Sequence, residues 1–409
     1  MKLSVIFKNP AFIITAGCLI AIFSFGGRAS MGMFTKPISD FHEWPREVFS
    51  FAMAIQNLAW GLFQPIAGGF ADRFGATRVL IVGALIYAAG LFLMPYSHSP
   101  SLIYLTGGLL MGAGIATASF SIVMAAFGRI VPPEKRSWAF GIATAAGSMG
   151  QFIFAPLGQA FITAYGWQTA LLLLSVIVLF IIPLSLPLNA RADQSAAARK
   201  ASGETELPLR QAIAKAFGHR SYVLLVSGFF VCGFQLAFIT IHFPPYLVEN
   251  GISTSLAAWA IALVGVFNVA GSYAAGVIGG REGKRIPLSL IYLLRSIFIT
   301  LFILVPVTST TTILFAAGIG VLWLSTVPLT MGLVTVMFGT RYMATLYGFV
   351  FLSHQIGSFL GVWLGGVLHD ITGNYDVVWW LAIGLGLFAF VVHLPIRENR
   401  AASFAVAQA

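Results

Sequence analysis

Charged residues are scarce in this sequence. Only 9% of its 409 residues are Asp, Glu, Lys or Arg, whereas 58% are hydrophobic, and the mean hydropathy is +0.90. Because soluble domains carry about 25% charged residues, this composition excludes a soluble globular protein. The length suffices for about a dozen helices of roughly 20 residues with short loops. An all-α integral membrane protein is therefore expected.

Cysteine is almost absent. Cys18 and Cys232 both fall inside apolar runs, where a buried, inert thiol is expected. The apolar runs hold no His/Cys/carboxylate cluster with metal-ligand spacing, no phosphate loop and no nucleophile–base pair. The sequence therefore predicts no metal site, no cofactor and no enzymatic activity.

Acidic residues are also missing from the interior of the apolar runs. All 13 of them lie in loops or at the ends of runs, so no buried Asp or Glu is available to carry a proton. The isoelectric point of 9.8 could indicate a nucleic-acid partner. However, the basic residues are spread over short loops without interleaved aromatics, which excludes that partner.

Twelve apolar runs are long enough to cross a bilayer. The first continues past a lipoprotein-like box that ends at Cys18, so it is interpreted as an uncleaved helix. The runs cover about 10–35, 46–70, 78–96, 101–127, 137–163, 167–188, 220–248, 255–279, 286–306, 310–336, 342–367 and 374–396.

The distribution of positive charge predicts the orientation. One side holds 19 of the 23 Lys and Arg residues, the other side holds Lys36 and Arg46, and Arg28 and Arg295 lie inside spans. Both termini and the central linker are thus expected in the cytoplasm, in a multi-pass protein of the cytoplasmic (inner) membrane.

A polar stretch divides the spans into six and six. It covers residues 189–219, and Leu209, Ile213 and Phe217 recur in it at every fourth position, which is typical of a short amphipathic helix on the membrane surface. The domains predicted are a six-helix bundle over 1–188, this linker, a second six-helix bundle over 220–396 and a cytoplasmic tail over 397–409.

A short charged turn separates the second and third spans. It runs Gly68-Gly-Phe-Ala-Asp-Arg-Phe-Gly-Ala-Thr-Arg78, and a partial copy with Gly276, Arg281, Gly283, Lys284 and Arg285 begins 276 − 68 = 208 positions later. A signature that recurs half a chain length away indicates two related halves.

Twelve spans, a central linker and this motif closely resemble the major facilitator superfamily. The resemblance implies two bundles around a cavity that opens alternately to either side. It also implies that the motif is a cytoplasmic latch between the halves; its residues here are Gly68, Asp72, Arg73, Gly75 and Arg78. Pro244 and Pro245 should kink or break span seven and form a gate near its outer end.

Two further stretches resemble bacterial relatives of the monocarboxylate porters. One is Arg28-Ala-Ser-Met-Gly-Met-Phe34 followed by Trp44-Pro-Arg-Glu47; the other is His242-Phe-Pro-Pro-Tyr-Leu247 with Phe267-Asn-Val-Ala-Gly271. This resemblance implies secondary active transport of a small organic anion, with the proton as coupling ion or with anion exchange. A monomer is the family expectation.

The substrate site is expected among polar groups inside the spans, since each needs a partner or a water-filled cavity. Arg28 is the candidate carboxylate clamp, Arg295 is either a second cation of the site or a structural residue, and His242 and His354 are candidates for contact with substrate or proton. The neutral candidates are Asn57, Gln151, Asn268 and Gln355.

Two other functions stay open at this point. An exporter of an amphiphilic metabolite or drug would suit the 36 phenylalanines and the few buried charges. A membrane sensor that keeps the fold without turnover would need a soluble signalling domain, and the tails are too short to supply one.

Overall fold

The computed structural model of the chain describes residues 9–189, 207–401 and 404. Within those ranges every regular element is a helix. The α-helices before residue 190 are α1 (Pro10–Ala29), α2 (Thr35–His42), α3 (Arg46–Phe74), α4 (Ala76–Leu93), α5 (Pro100–Ile103), α6 (Met111–Thr117), α7 (Phe120–Ile130), α8 (Pro133–Leu179) and α9 (Ile181–Ser185). Short 3₁₀ segments cover Ser30–Phe34, Met94–Tyr96 and Leu186–Asn189, and a π-helical segment covers Tyr104–Leu110.

The second part of the chain is built in the same way. Its helices are α10 (Leu209–Phe217), α11 (Arg220–Glu249), α12 (Thr254–Arg281), α13 (Arg285–Leu304), α14 (Ser309–Leu322), α15 (Thr326–Phe338), α16 (Met343–Thr372) and α17 (Asp376–His393).

Local sequence signals explain several helix ends. Asn9 caps α1, because its side-chain oxygen accepts a hydrogen bond from the Ala11 N–H at 3.0 Å, and Thr308 caps α14 in a reciprocal capping box. Gly75 ends α3 with φ at +89°, a left-handed value that glycine adopts without strain. The same residue lets α4 begin at the next position, as the motif predicts.

Ten stretches of the described chain are long and apolar enough to cross a membrane. They include all the predicted spans except the second, which corresponds to α3. One of them, Pro133–Leu188, covers both the fifth and the sixth predicted spans. Inside it Gly166 has φ at +78° and ψ at +162°, so the helix path is interrupted where the sequence places a loop.

Two predicted spans differ in detail. The tenth is interrupted between α14 and α15, where residues 323–325 are not helical. The seventh, α11, runs without interruption from Arg220 to Glu249 through Pro244 and Pro245. The helical assignment is therefore not broken at the two prolines, each of which removes one backbone N–H donor.

Most of the predicted linker, residues 190–206, lies outside the described residues, as do residues 1–8 and most of the predicted tail. The segment with the four-residue apolar spacing is helical, as α10. Its buried positions are Ala212 and Ala216, with Leu209 and Ile213 partly buried beside them. Leu209 reaches Gly69 at the end of α3, so α10 packs close to the motif.

The pairing of the long helices places the functional residues. α1 packs along α8, α3 packs along α16, and α8 also packs along α12. The α3–α16 and α8–α12 contacts join helices from before and after the linker. They are called here the two seams.

Candidate functional site

Arg28 lies in the last turn of α1, where its guanidinium meets α3. Its Nη2 donates a hydrogen bond to Asn57 Oδ1 at 2.6 Å, and the guanidinium carbon lies 4.9 Å from the ring centroid of Trp60. Asn57 and Trp60 are three residues apart and therefore share one face of α3. The amide and the indole together fix the position of the cation.

No acid in the described part of the chain compensates the charge of Arg28. Among the described residues no carboxylate forms a salt bridge with Arg28, and its Nε is buried without a hydrogen-bond partner. A guanidinium has five N–H donors and can hold a carboxylate through two parallel hydrogen bonds. Arg28 therefore keeps donor capacity for an anion.

A hydrogen-bonded chain extends from Asn57 across the first seam to α16. Gln355 Nε2 donates to the Asn57 carbonyl at 3.0 Å, and Gln355 Oε1 lies 3.1 Å from His354 Nδ1. The His354 ring stacks on Phe351 with centroids 5.4 Å apart. The structure thus brings four predicted residues, Arg28, Asn57, His354 and Gln355, into one connected group. We call this group the Arg28 site.

Asn268 occupies the corresponding position in the second seam. It is fully buried; its Nδ2 donates to Ser148 Oγ of α8 at 2.7 Å, and its Oδ1 accepts from Ser272 Oγ and from the Leu324 N–H. The amide is thus committed to links between helices. In this conformation Asn268 joins α8 to α12 and offers little to a ligand.

Asp72 closes one end of the first seam. Its carboxylate accepts hydrogen bonds from the backbone N–H groups of Ala344 and Thr345, at 3.3 and 2.8 Å, and from the Thr345 hydroxyl at 2.6 Å. These N–H groups belong to the first turn of α16, which has no carbonyl partners for them within the helix. Asp72 therefore caps α16 from the other half of the chain.

Arg129, at the end of α7, is the arginine that pairs with Asp72. Its Nη2 contacts the carboxylate and its other donors reach the carbonyls of Ala71, Thr340 and Arg341. Arg73 and Arg78 of the predicted latch are exposed, and Arg73 lies over the ring of Phe74. The motif alone does not point to Arg129.

Gly68 allows this end of the seam to close. A Cβ at position 68 would lie 2.7 Å from the backbone nitrogen of Thr345, which real side chains do not tolerate. In the second seam Gly276 meets Gly141 in the same way, with a Cβ at position 276 only 2.6 Å from the Gly141 Cα. Both seams are therefore closed at the end of the molecule that holds Asp72, called here the latch end.

Among the described residues, hydrogen bonds across the two seams do not extend beyond the middle of the helices. Of the hydrogen bonds that cross a seam, Gln355–Asn57 and Asn268–Ser148 lie farthest from the latch end. Between described side chains further along, none joins α3 to α16 or α8 to α12. Gln151, one turn beyond Ser148, is partly exposed, and its side chain makes no hydrogen bond to a described residue. The Arg28 site therefore lies where closure of the seams ends.

His242 is separate from this group. It is 8% exposed, its Nε2 lies 2.9 Å from the Val362 carbonyl, and its ring fits over Gly365. Those contacts join α11 to α16 within the second part of the chain. Pro244 and Pro245 follow on the same helix, toward its end at Glu249.

Arg295 is buried away from the seams, with 1% of its side chain exposed. Its Nε and Nη2 donate to the Leu322 carbonyl at 3.2 and 2.7 Å, Nη2 also contacts the Trp323 carbonyl, and Nη1 lies 3.4 Å from Gln235 Oε1. The carbonyls at a helix C terminus carry partial negative charge. Arg295 thus caps the end of α14, where the tenth span is interrupted.

Replacing Arg295 with methionine is expected to lower stability more than substrate affinity. The change leaves the buried carbonyls of Leu322 and Trp323 without donors, at a cost of about 2 to 4 kcal/mol. The check is the thermal unfolding midpoint of the purified variant together with its substrate KM. A raised KM at unchanged unfolding temperature would contradict this structural role.

Trp60 and Ser148 contact candidate residues, yet neither is singled out by the sequence. Trp60 stacks on Arg28, and Ser148 receives the hydrogen bond of Asn268. The helical spacing of Trp60 from Asn57 would have been a usable signal. Ser148 offered none, because a serine in an apolar helix commonly bonds its own backbone, as Ser148 also does with Thr144.

Comparisons with known proteins agree with this architecture. The Major Facilitator Superfamily model matches residues 16–362. The chain is 24% identical over 404 residues to an uncharacterized MFS-type transporter, YcxA, of Bacillus subtilis (strain 168), which covers 96% of each chain. It is 27% identical over 366 residues to monocarboxylate transporter 13 of Rattus norvegicus, covering 86% of this chain and 80% of that protein.

Solved structures agree on the fold. The Escherichia coli fucose:proton symporter FucP superposes with a TM-score of 0.71 at 16% identity, covering 95% of this chain and all of that one. The proton:xylose symporter XylE superposes with a TM-score of 0.72 at 15% identity, covering 95% and 96%. The all-helical fold and the resemblance to monocarboxylate porters are confirmed, and the chain is a multi-pass membrane transporter that belongs to the Major Facilitator Superfamily.

Proposed function

We propose that this transporter moves a small organic anion, a monocarboxylate, by alternating access with proton coupling. The observation that carries the proposal is Arg28, a cation that has no acidic partner among the described residues and whose Nε is buried and unbonded. A cation at membrane depth is costly unless a cavity or an anion compensates it. Relatives named as monocarboxylate transporters support the substrate class.

The membrane topology belongs to the same proposal. Pro133–Leu188 counts as two spans divided at Gly166, because 56 residues far exceed what a bilayer needs, and α3 supplies one more. Ten stretches then become twelve spans, in two six-helix bundles on either side of the linker. The excess of Lys and Arg on the side of the latch end favours a cytoplasmic latch end and cytoplasmic termini. The protein is proposed to be a monomer in the inner membrane.

With that orientation the conformation described is closed to the cytoplasm. Asp72, Arg129 and Gly68 hold the first seam at the latch end, and the Gly141–Gly276 contact holds the second. The Arg28 site then faces the outside, and inward opening requires both seams to separate at the latch end. Pro244 and Pro245 stay candidates for a gate at the opposite end, since the carbonyls one turn before them lack their usual donors.

Uptake into proteoliposomes tests the function. Radiolabelled lactate, pyruvate and longer monocarboxylates would be offered with and without an inward proton gradient. Uptake that the gradient accelerates and that a protonophore abolishes supports the proposal. Transport of no carboxylate, together with transport of amphiphilic cations or dyes, would favour the exporter.

His354 is proposed to take part in the coupling. An imidazole can accept and release a proton, and this ring is linked through Gln355 to Asn57 and hence to Arg28. Replacing His354 with glutamine is expected to reduce gradient-driven uptake about tenfold or more while anion exchange without a gradient continues. The same substitution at His242, outside the Arg28 site, is the control. Full gradient response in the His354 variant would place the proton on the substrate instead.

A further inference from the structure

The end of α12 and the loop before α13 carry an incomplete copy of the latch motif. Gly276 and Gly283 stand 208 positions after Gly68 and Gly75, whereas Gly280 stands at the position of Asp72. In the first copy the acid caps a helix across the seam. The second copy has the close glycine contact but lacks the acid.

A cavity of about 170 Å³ lies at this place in the second seam. It is bounded by the first turns of α8, by the end of α12 and by α15. The lining residues that matter are Glu134, Arg136, Ser137, Gly280, Lys284 and Gly332. α8 begins three residues after the end of α7, the helix whose Arg129 pairs with Asp72. The cavity is therefore at the latch end of the molecule, away from the Arg28 site.

The polar groups of the cavity favour an anion. Ser137 is 4% exposed, and its Oγ is buried without a hydrogen-bond partner. Lys284 Nζ donates to the Gly279 carbonyl at 3.0 Å and has two more N–H donors; among the described residues no carboxylate lies within ion-pair distance of it. The N terminus of α8 adds partial positive charge.

The other charges do not cancel this preference. Arg136 is half-buried, and its Nε donates to the Val131 carbonyl at 3.2 Å. Glu134 is the single carboxylate of the lining and is exposed. Burial lowers the pKa of Lys284, and the Glu398 carboxylate, which bonds the backbone of the same loop, opposes that shift. An anion in the cavity would, like Glu398, favour the charged form of Lys284 and raise its pKa.

We propose that the cavity binds an oxyanion of the phosphate type, which supplies the negative charge that Asp72 supplies in the first seam. Ser137 Oγ and Lys284 Nζ are its donors, and bound anion stabilises the closed latch end. The phosphate belongs either to a lipid headgroup or to free inorganic phosphate, since both present the same acceptor oxygens. The inference concerns regulation of the closed state and is independent of the transported substrate.

The test uses the full-length protein in detergent, free of phosphate and at constant ionic strength. Inorganic phosphate is titrated in one arm and short-chain phosphatidic acid in the other, and the unfolding temperature is followed by tryptophan fluorescence. Broadening of the ³¹P resonance of inorganic phosphate gives a second readout of binding. Lys284→Met keeps the side-chain stem that lies against Gly332, Gly280→Asp supplies an acid, and Arg281→Gln, an exposed cation of the same loop, is the control.

The expected result is an upward shift of roughly 2 °C at saturation for the natural protein and for Arg281→Gln. Lys284→Met should not respond. The side chain of Gly280→Asp should fit, since a Cβ at position 280 meets only Ser137 Cβ, at 3.6 Å. Because its carboxylate supplies the negative charge itself, this variant should start at a higher unfolding temperature and should not respond to phosphate either. A response to inorganic phosphate identifies the free ion and a response to the lipid alone identifies the headgroup. No response to either, or an undiminished response in Lys284→Met, would overturn the proposal.

Discussion

Replacing Arg28 with glutamine is expected to lower the kcat/KM of monocarboxylate uptake by about 100-fold or more. The change removes two charge-assisted hydrogen bonds to the substrate carboxylate, worth about 3 kcal/mol together, and each 1.4 kcal/mol corresponds to tenfold. The amide can still bond Asn57 Oδ1, so the contact between α1 and α3 is kept. The loss should therefore appear in transport rates and much less in the unfolding temperature.

Two further variants sharpen that measurement. Arg28→Lys keeps the charge but loses the planar fork, so an intermediate rate is expected. Lys36→Gln removes one exposed cation, which pairs with Asp40 on its own helix, and should leave transport unchanged. Uptake that is indifferent to Arg28, in variants that fold normally, would sink the carboxylate-clamp assignment.

Hydrophobic patterning made the helices of this fold predictable. A continuous apolar run of about 20 residues crosses lipid as a helix, because a helix bonds every backbone polar group within the segment. The same logic placed the interruption at Gly166 between two predicted spans. It could not foresee the interruption between α14 and α15, which depends on a guanidinium from another helix to bond the freed carbonyls.

The residue types of the candidate site could be predicted from the sequence, whereas the contacts that those residues make were less predictable. Arg28, Asn57 and Gln355 stood out because polar groups are expensive inside spans, and the structure joins them. Arg295 stood out for the same reason, yet its partners are backbone carbonyls, which cannot be recognised from the residue type. A buried polar residue can be recognised from sequence, but whether it meets a ligand or a helix end depends on which side of its helix faces a seam.

The latch shows the same limit, because the motif identified Asp72 but not its partners. The Thr345 hydroxyl and the Arg129 guanidinium reach Asp72 from helices that begin or end at the latch end, and they are 273 and 57 positions distant in the chain. The first pairing arises from the packing of the two halves, and the second arises from the packing of α3 against α7 within the first half. Arg73 and Arg78, which follow Asp72 within the same motif, are exposed instead.

Replacing Arg129 with glutamine is expected to open the latch end. The Asp72 and Arg129 side chains are only 2% and 8% exposed, and removing one partner of a buried ion pair costs about 3 to 5 kcal/mol. Both residues belong to the first half, but Arg129 also donates to the Thr340 and Arg341 carbonyls of the second half, and Asp72 is buried against Thr345 there. These contacts exist only while the latch end is closed, so the cost falls mainly on the closed state. The ratio of closed to open molecules should drop by about 100-fold or more.

Spin labels at Phe70 and Arg281, exposed positions on either side of the latch end, would report the change as a longer distance in double electron–electron resonance. Arg73→Gln removes the neighbouring exposed arginine of the motif and serves as the matched control, for which the distance distribution should not change. If Arg129→Gln also left the distribution unchanged, closure would rest on the glycine contacts of the two seams. In that case Gly68→Leu, which forces α3 away from α16, should open the latch end while Asp72 and Arg129 remain in place.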